Sequence, residues 1–172
     1  HIFGIKGSYA VDPQKGAVVM TLTTQGDVPI HYTLDGSEPT AASPRYTGPV
    51  EIGKSARFRA TALREGGENA SYSREFAFSK STGRPAVLNT KPNDSYTFEG
   101  ASLLVDGYHS RPVFTSGAWL GYLDEPLDVT IDMGGEQSYR SVELETLAEK
   151  GDWIFPPSSV TVWVSDNGTD FT

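Results

Sequence analysis

In Ile30-His31-Tyr32-Thr33-Leu34-Asp35-Gly36-Ser37-Glu38-Pro39-Thr40 a two-residue alternation runs into a tight-turn signal. Ile30, Tyr32 and Leu34 fall on one face of a strand, and His31 and Thr33 fall on the other. Asp35-Gly36 then forms the turn, the Ser37 hydroxyl bonds nearby backbone, and Pro39 fixes the exit. Tyr46 is expected to pack over this loop. Working outward, Ala56, Phe58, Ala60 and Ala62 alternate with Arg57, Arg59 and Thr61, and Phe76 and Phe78 repeat the pattern. Residues 17–22 are apolar enough to lie between two sheets. Gly48-Pro49 and Gly66-Gly67 add turns. About six short strands in about eighty residues predict a small immunoglobulin-like or fibronectin-like β-sandwich over residues 1–80. A domain of that size buries only about 60% of its unfolded surface.

The second half reads as β-structure too. Leu127, Val129, Ile131 and Met133 alternate with Asp128, Thr130 and Asp132. Val142, Leu144 and Thr146 alternate with Glu143 and Glu145, and Val160, Val162 and Val164 with Thr161, Trp163 and Ser165. Turn signals fall at Asp106-Gly107, Gly134-Gly135 and Asp166-Asn167-Gly168. The best helix candidate, residues 143–150, starts with a period of two and so reads as a strand entering a loop. The expectation is an all-β chain in which a jelly-roll sandwich over 86–172 follows the first sandwich. Between them, Lys80-Ser81-Thr82-Gly83-Arg84-Pro85 is polar and turn-rich, and 81–85 is read as the linker. The charge changes there: residues 1–80 carry nine basic and eight acidic side chains, residues 81–172 five and fourteen.

Composition narrows the classes. The chain has 172 residues, 37% hydrophobic, with 18 Gly and 11 Pro, which is rich in turns but sufficient for packed cores. Cysteine is absent, which excludes disulfides, thiolate metal sites and Cys nucleophiles. A net charge of −8 argues against nucleic acid and anionic membranes as partners. No apolar run is long enough for a membrane-spanning helix. His1, His31 and His109 stand far apart, so a multi-histidine metal centre is not expected. Three acceptor triplets for N-glycosylation, at Asn69, Asn93 and Asn167, arise readily by chance and do not establish export. The start at His1, without an initiator Met, suggests a piece of a longer chain.

The 30–40 segment, with Ser43, Tyr46 and Gly48-Pro49, resembles the C-terminal module of chitobiases and β-N-acetylhexosaminidases over about residues 9–79. Those modules carry a Tyr-Thr-x-Asp-Gly-Ser-x-Pro-Thr signature on a fibronectin-like fold. Residues 86–172 resemble the discoidin, or coagulation-factor type C, domain. That likeness rests on Leu104-Val105-Asp106-Gly107, Gly117-Ala118-Trp119-Leu120-Gly121-Tyr122, residues 127–134, residues 151–157 and residues 164–168. The order of modules is similar to the tail of family-20 glycoside hydrolases, with His1-Ile2-Phe3-Gly4 leaving a catalytic barrel. Some α-fucosidases carry a similar tail. The resemblance implies export to the periplasm, cell surface or medium, a monomer, and an upstream catalytic barrel in the same chain. It also implies that the discoidin-like domain is cut short at Thr172, ahead of its closing strands and of a Glu that helps hold a structural calcium in relatives.

No catalytic residue is expected in this segment. Family-20 enzymes use an Asp-Glu pair on a barrel with help from the substrate's acetamido group. Asp124-Glu125 is the only such dipeptide here, and before Pro126 it reads as a solvated turn. Glu143 and Glu145, about 7 Å apart if on a strand, read as an exposed face. Sugar recognition needs an aromatic platform beside polar donors and acceptors. Loop 106–122 supplies Tyr108, His109, Arg111, Trp119 and Tyr122 as candidate ligands for a glycan of the N-acetylhexosamine or galactose type. In the family this Trp usually packs inside. Trp153 and Trp163 are candidates for sealing the sandwich, docking or stacking. The one metal implied is a structural calcium at Asp106, which would need six to eight oxygen ligands.

Overall fold

The computed structural model describes residues 3–172 of the chain. His1 and Ile2, the first half of the expected exit from a barrel, lie outside the described residues. The chain is all-β, with eight strands and four short 3-10 turns among the described residues. It divides into two compact units. One holds the chain up to Gly83 together with Val105–Tyr108; the other holds Arg84–Leu104 and His109–Thr172.

The first unit is a two-sheet sandwich. Strands β1 (Ile5–Asp12), β2 (Ala17–Thr24) and β4 (Val50–Ile52) form one sheet in the order β1-β2-β4. Strands β3 (Ile30–Thr33), β5 (Ala56–Ala62) and β6 (Ala70–Phe76) form the other in the order β3-β5-β6. All pairings are antiparallel, so successive side chains point alternately into and out of the sandwich. Val18, Met20 and Leu22 from β2 and Ile52 from β4 meet Ile30, Phe58, Ala60, Ala62 and Phe76 from the facing sheet. The alternation of β5 and the apolar run of β2 in the sequence therefore supply the core.

Two readings shift. Leu34 lies beyond the end of β3 and is exposed, because the chain has already entered the turn. Thr61, on the polar phase of β5, is buried, and its hydroxyl donates to Glu38 at 3.3 Å. Strand β1 was not legible: its inward positions include Gly7, whose missing side chain leaves room for the Tyr72 ring. The turn after Phe76 is closed rather than extended. Ser79 N–H donates to the Thr82 hydroxyl at 2.9 Å, and Thr82 is buried. Gly83, at φ +76°, sits where a Cβ would lie 2.5 Å from the Gly16 carbonyl carbon, so this end of the expected linker is packed backbone.

The second unit carries less ladder than expected. Strands β7 (Ala86–Leu88) and β8 (Val129–Ile131) pair antiparallel. Asn89 extends the pair, donating to Asp128 Oδ1 and Thr130 Oγ1, each at 3.0 Å. An aromatic group of Tyr96, Phe98 and Phe114 packs edge to face. The strands expected at 142–146 and 160–164 do not form. A strand exists only where a neighbour takes its backbone hydrogen bonds. Val142, Val160 and Val162 stand exposed, and Val164 instead exchanges two backbone bonds with Thr172 across a loop.

Candidate functional site

The signature turn is built for structure. Gly36 adopts φ +85°, and a Cβ there would lie 3.1 Å from Arg57 Cβ. Asp35 Oδ1 accepts from the Ser37 amide at 3.0 Å and from the Ser37 hydroxyl at 2.6 Å. The hydroxyl thus bonds a carboxylate rather than backbone, since an ionised acceptor makes the stronger bond. These bonds, the hydroxyl first, hold the Asp35 carboxyl below the usual range. Arg59 pairs with Glu38 and donates to the Gly36 carbonyl at 3.3 Å. Pro39 is buried, and Tyr46 packs on the core while its hydroxyl accepts from the Leu22 amide at 3.0 Å. Asp35 and Ser37 thus bond each other within the turn, while Arg59 and Thr61 of β5 tie Glu38 and the Gly36 carbonyl to the sandwich.

Beside it is an open cleft of about 360 Å³ lined by Tyr32, Leu34, Arg45, Pro49 and Glu51 among others. None of the residues expected to bind sugar lines it.

The structure separates the predicted site residues. Asp106 and Tyr108 belong to the first unit; His109, Arg111, Trp119 and Tyr122 belong to the second. Asp106 is only 5% exposed, and both of its oxygens are engaged. Tyr9 Oη donates to Oδ2 at 2.9 Å, and the Tyr108 amide donates to Oδ1 at 2.9 Å. Burial pushes the Asp106 carboxyl up, against the pull of those bonds and of nearby Arg74. Tyr9 is raised as well, first by burial and then by the Asp106 charge. Among the described residues no group of three or more His, Asp or Glu side chains comes together. The residues around Asp106 therefore do not fit a calcium ion: they offer it proton donors where a cation needs oxygens.

Tyr108 is half-buried rather than presented on a loop. The Arg74 guanidinium lies 4.2 Å from its ring centroid, and the Tyr9 ring meets it edge-on at 5.9 Å. Sequence reasoning missed Tyr9 and Arg74 altogether; the only signal was a Tyr and an Arg placed on two strands of the first sandwich.

In the second unit His109 and Arg111 are exposed. His109 Nδ1 pairs with Glu145 Oε1 on the surface. Glu143 and Glu145 thus do not share a strand face. Trp119 is half-buried, and its indole N–H donates to the Arg111 carbonyl at 3.2 Å, which folds the loop back on itself. The Arg111 guanidinium has no hydrogen-bond or ion-pair partner among the described residues. Tyr122 donates to the Thr90 carbonyl at 3.4 Å, and burial raises its phenol. Asp124 and Glu125 are exposed on a turn. Trp153 is 84% exposed at the tip of a tight loop closed by two 3.0 Å backbone bonds between Glu149 and Ile154.

Residues 7–74 match the family model of the chitobiase/beta-hexosaminidase C-terminal domain. The match covers the six-strand sandwich almost to the end of β6, and fits a non-catalytic module of a glycoside hydrolase. No protein of curated function matches the chain. No helix among the described residues is long and apolar enough to cross a membrane.

Proposed function

We propose that the chain is the non-catalytic C-terminal region of an exported chitobiase or β-N-acetylhexosaminidase, and that its second unit holds carbohydrate for the catalytic barrel. The supporting observation is the match over residues 7–74, together with a signature turn held by Asp35–Ser37 bonds and by Arg59 and Thr61 of β5. The sugar contacts fall to Arg111, Trp119, His109 and Tyr122. Arg111 offers an exposed planar donor; Trp119, whose indole N–H is tied to the Arg111 backbone carbonyl, offers a half-buried ring; and the His109–Glu145 pair offers a donor and an acceptor. That combination suits the apolar face and hydroxyl edges of a pyranose. A millimolar site is worth only about 4 kcal/mol, yet tethering makes such a site useful by raising the local substrate concentration.

The test is titration of the whole chain with N-acetylglucosamine, galactose and chitobiose, followed by NMR shifts of the Trp119 indole and the Arg111 side chain. Saturable shifts that vanish in Arg111→Ala and Trp119→Ala support the proposal. Unmoved resonances at ~10 mM sugar, well above a millimolar constant, would leave both units as spacers that pack on or extend the enzyme.

A further inference from the structure

The segment Val105–Tyr108 interrupts the sequence of the second unit and is held by the first. Its backbone is tied at two points. Gly83 N–H donates to the Val105 carbonyl and Ala77 N–H to the Gly107 carbonyl, both at 2.8 Å. Val105 is 2% exposed. The Asp106 carboxylate receives the Tyr9 hydroxyl from β1. Tyr108 lies under the Arg74 guanidinium of β6, which also sits 4.9 Å from the Tyr9 ring centroid. Tyr9 in turn meets Phe76 edge-on at 5.3 Å. Gly107, at φ +67°, brings the segment so close that a Cβ would lie 2.9 Å from Thr82 Cγ2 and 3.2 Å from the Ala77 carbonyl oxygen.

We propose that Tyr9, Arg74, Ala77 and Gly83 form a receptor surface for a Val-Asp-Gly-Tyr strap, and that this strap, supplied by the chain's own residues 105–108, is an integral part of the first sandwich. Each strap residue has its own reason to be there. Val105 is buried, and Asp106 accepts from the part-buried Tyr9 hydroxyl. Gly107 alone tolerates the left-handed turn against backbone. Tyr108 gives Arg74 an aromatic face. The sandwich therefore extends beyond residues 7–74 and beyond Gly83, and the same-chain segment 105–108 is its natural occupant. This holds whether or not the second unit binds sugar.

The experiment is amide hydrogen exchange on the whole chain without sugar. It compares the parent with Gly107→Val and with a chain in which a Ser-Gly repeat replaces residues 105–108. The expected result is a loss of protection at Ala77 and Gly83 of more than about twofold and up to about tenfold, the range of one broken hydrogen bond. Collapse of protection through all six strands of the sandwich also supports the proposal, since the strap is then required for the fold. A gentler pair, Tyr9→Phe and Asp106→Asn, should change the opening constant non-multiplicatively when combined. Protection at Ala77 and Gly83 within about twofold of the parent in both strap variants overturns the proposal, because a lost bond would exceed that.

Discussion

The Tyr9 hydroxyl donates to the Asp106 carboxylate at 2.9 Å, joining residues 97 positions apart in sequence. The acceptor is buried, so its partner matters more than the bond's modest net worth.

Tyr9→Phe leaves Asp106 Oδ2 without that donor while keeping the ring against Phe76. The expected cost is about 1–3 kcal/mol, the penalty for stranding a buried acceptor. Urea unfolding followed through the first unit's aromatic signal measures it. No change would mean that water replaces the phenol.

Two carboxylates should act in opposite directions with pH. Asp106 has a raised folded pKa because of burial, so the stability it contributes is complete below about pH 3.9, the unfolded value, and falls away as pH rises through the higher folded value. Asp106→Asn should therefore compare better with the parent at pH 7 than at pH 3. Asp35 has a lowered pKa, through the Ser37 hydroxyl and amide. Its contribution is present above about pH 3.9 and is lost as pH falls through the lower folded value. Ser37→Ala should flatten that acid limb. Urea midpoints from pH 2 to 7 read both effects, and pH-independent differences would refute them.

Phe58 is fully buried between the sheets and stacks on Tyr32 at 5.7 Å. Phe58→Ala should cost about 3–5 kcal/mol, through lost transfer energy and a cavity. In a sandwich this small, that should shift the first unit's melting by more than about ten degrees. Calorimetry of the variant provides the check.

Trp153 sits at φ +59° with its ring in solvent. A left-handed residue other than glycine costs roughly 1–2 kcal/mol, and an exposed ring gives little packing in return. Trp153→Gly should slow exchange of the Glu149 and Ile154 amides, which close that loop. Faster exchange would show that the indole supports the loop after all.

The first sandwich was legible where inward positions were uniformly apolar, as in β2 and β5, and where a turn demanded particular residues, as at Asp35-Gly36. Strand β1 escaped because its inward side includes Gly7, which leaves space for a ring instead of filling it. The destination of Asp106 and Tyr108 was hidden for another reason: their partners, Tyr9 and Arg74, lie on strands far away in sequence, and no local period encodes that. Val160, Val162 and Val164 show the converse. Their alternation is clean, yet a strand also needs a neighbour to bond, and no period supplies one.

The strap carries a consequence for biosynthesis. As the polypeptide leaves the ribosome, β1 to β6 emerge first, while the Val-Asp-Gly-Tyr piece is still inside the exit tunnel. Until Tyr108 clears it, Arg74 lacks one of its aromatic faces and Tyr9 lacks its acceptor, so the nascent sandwich remains open along that seam and vulnerable to premature association.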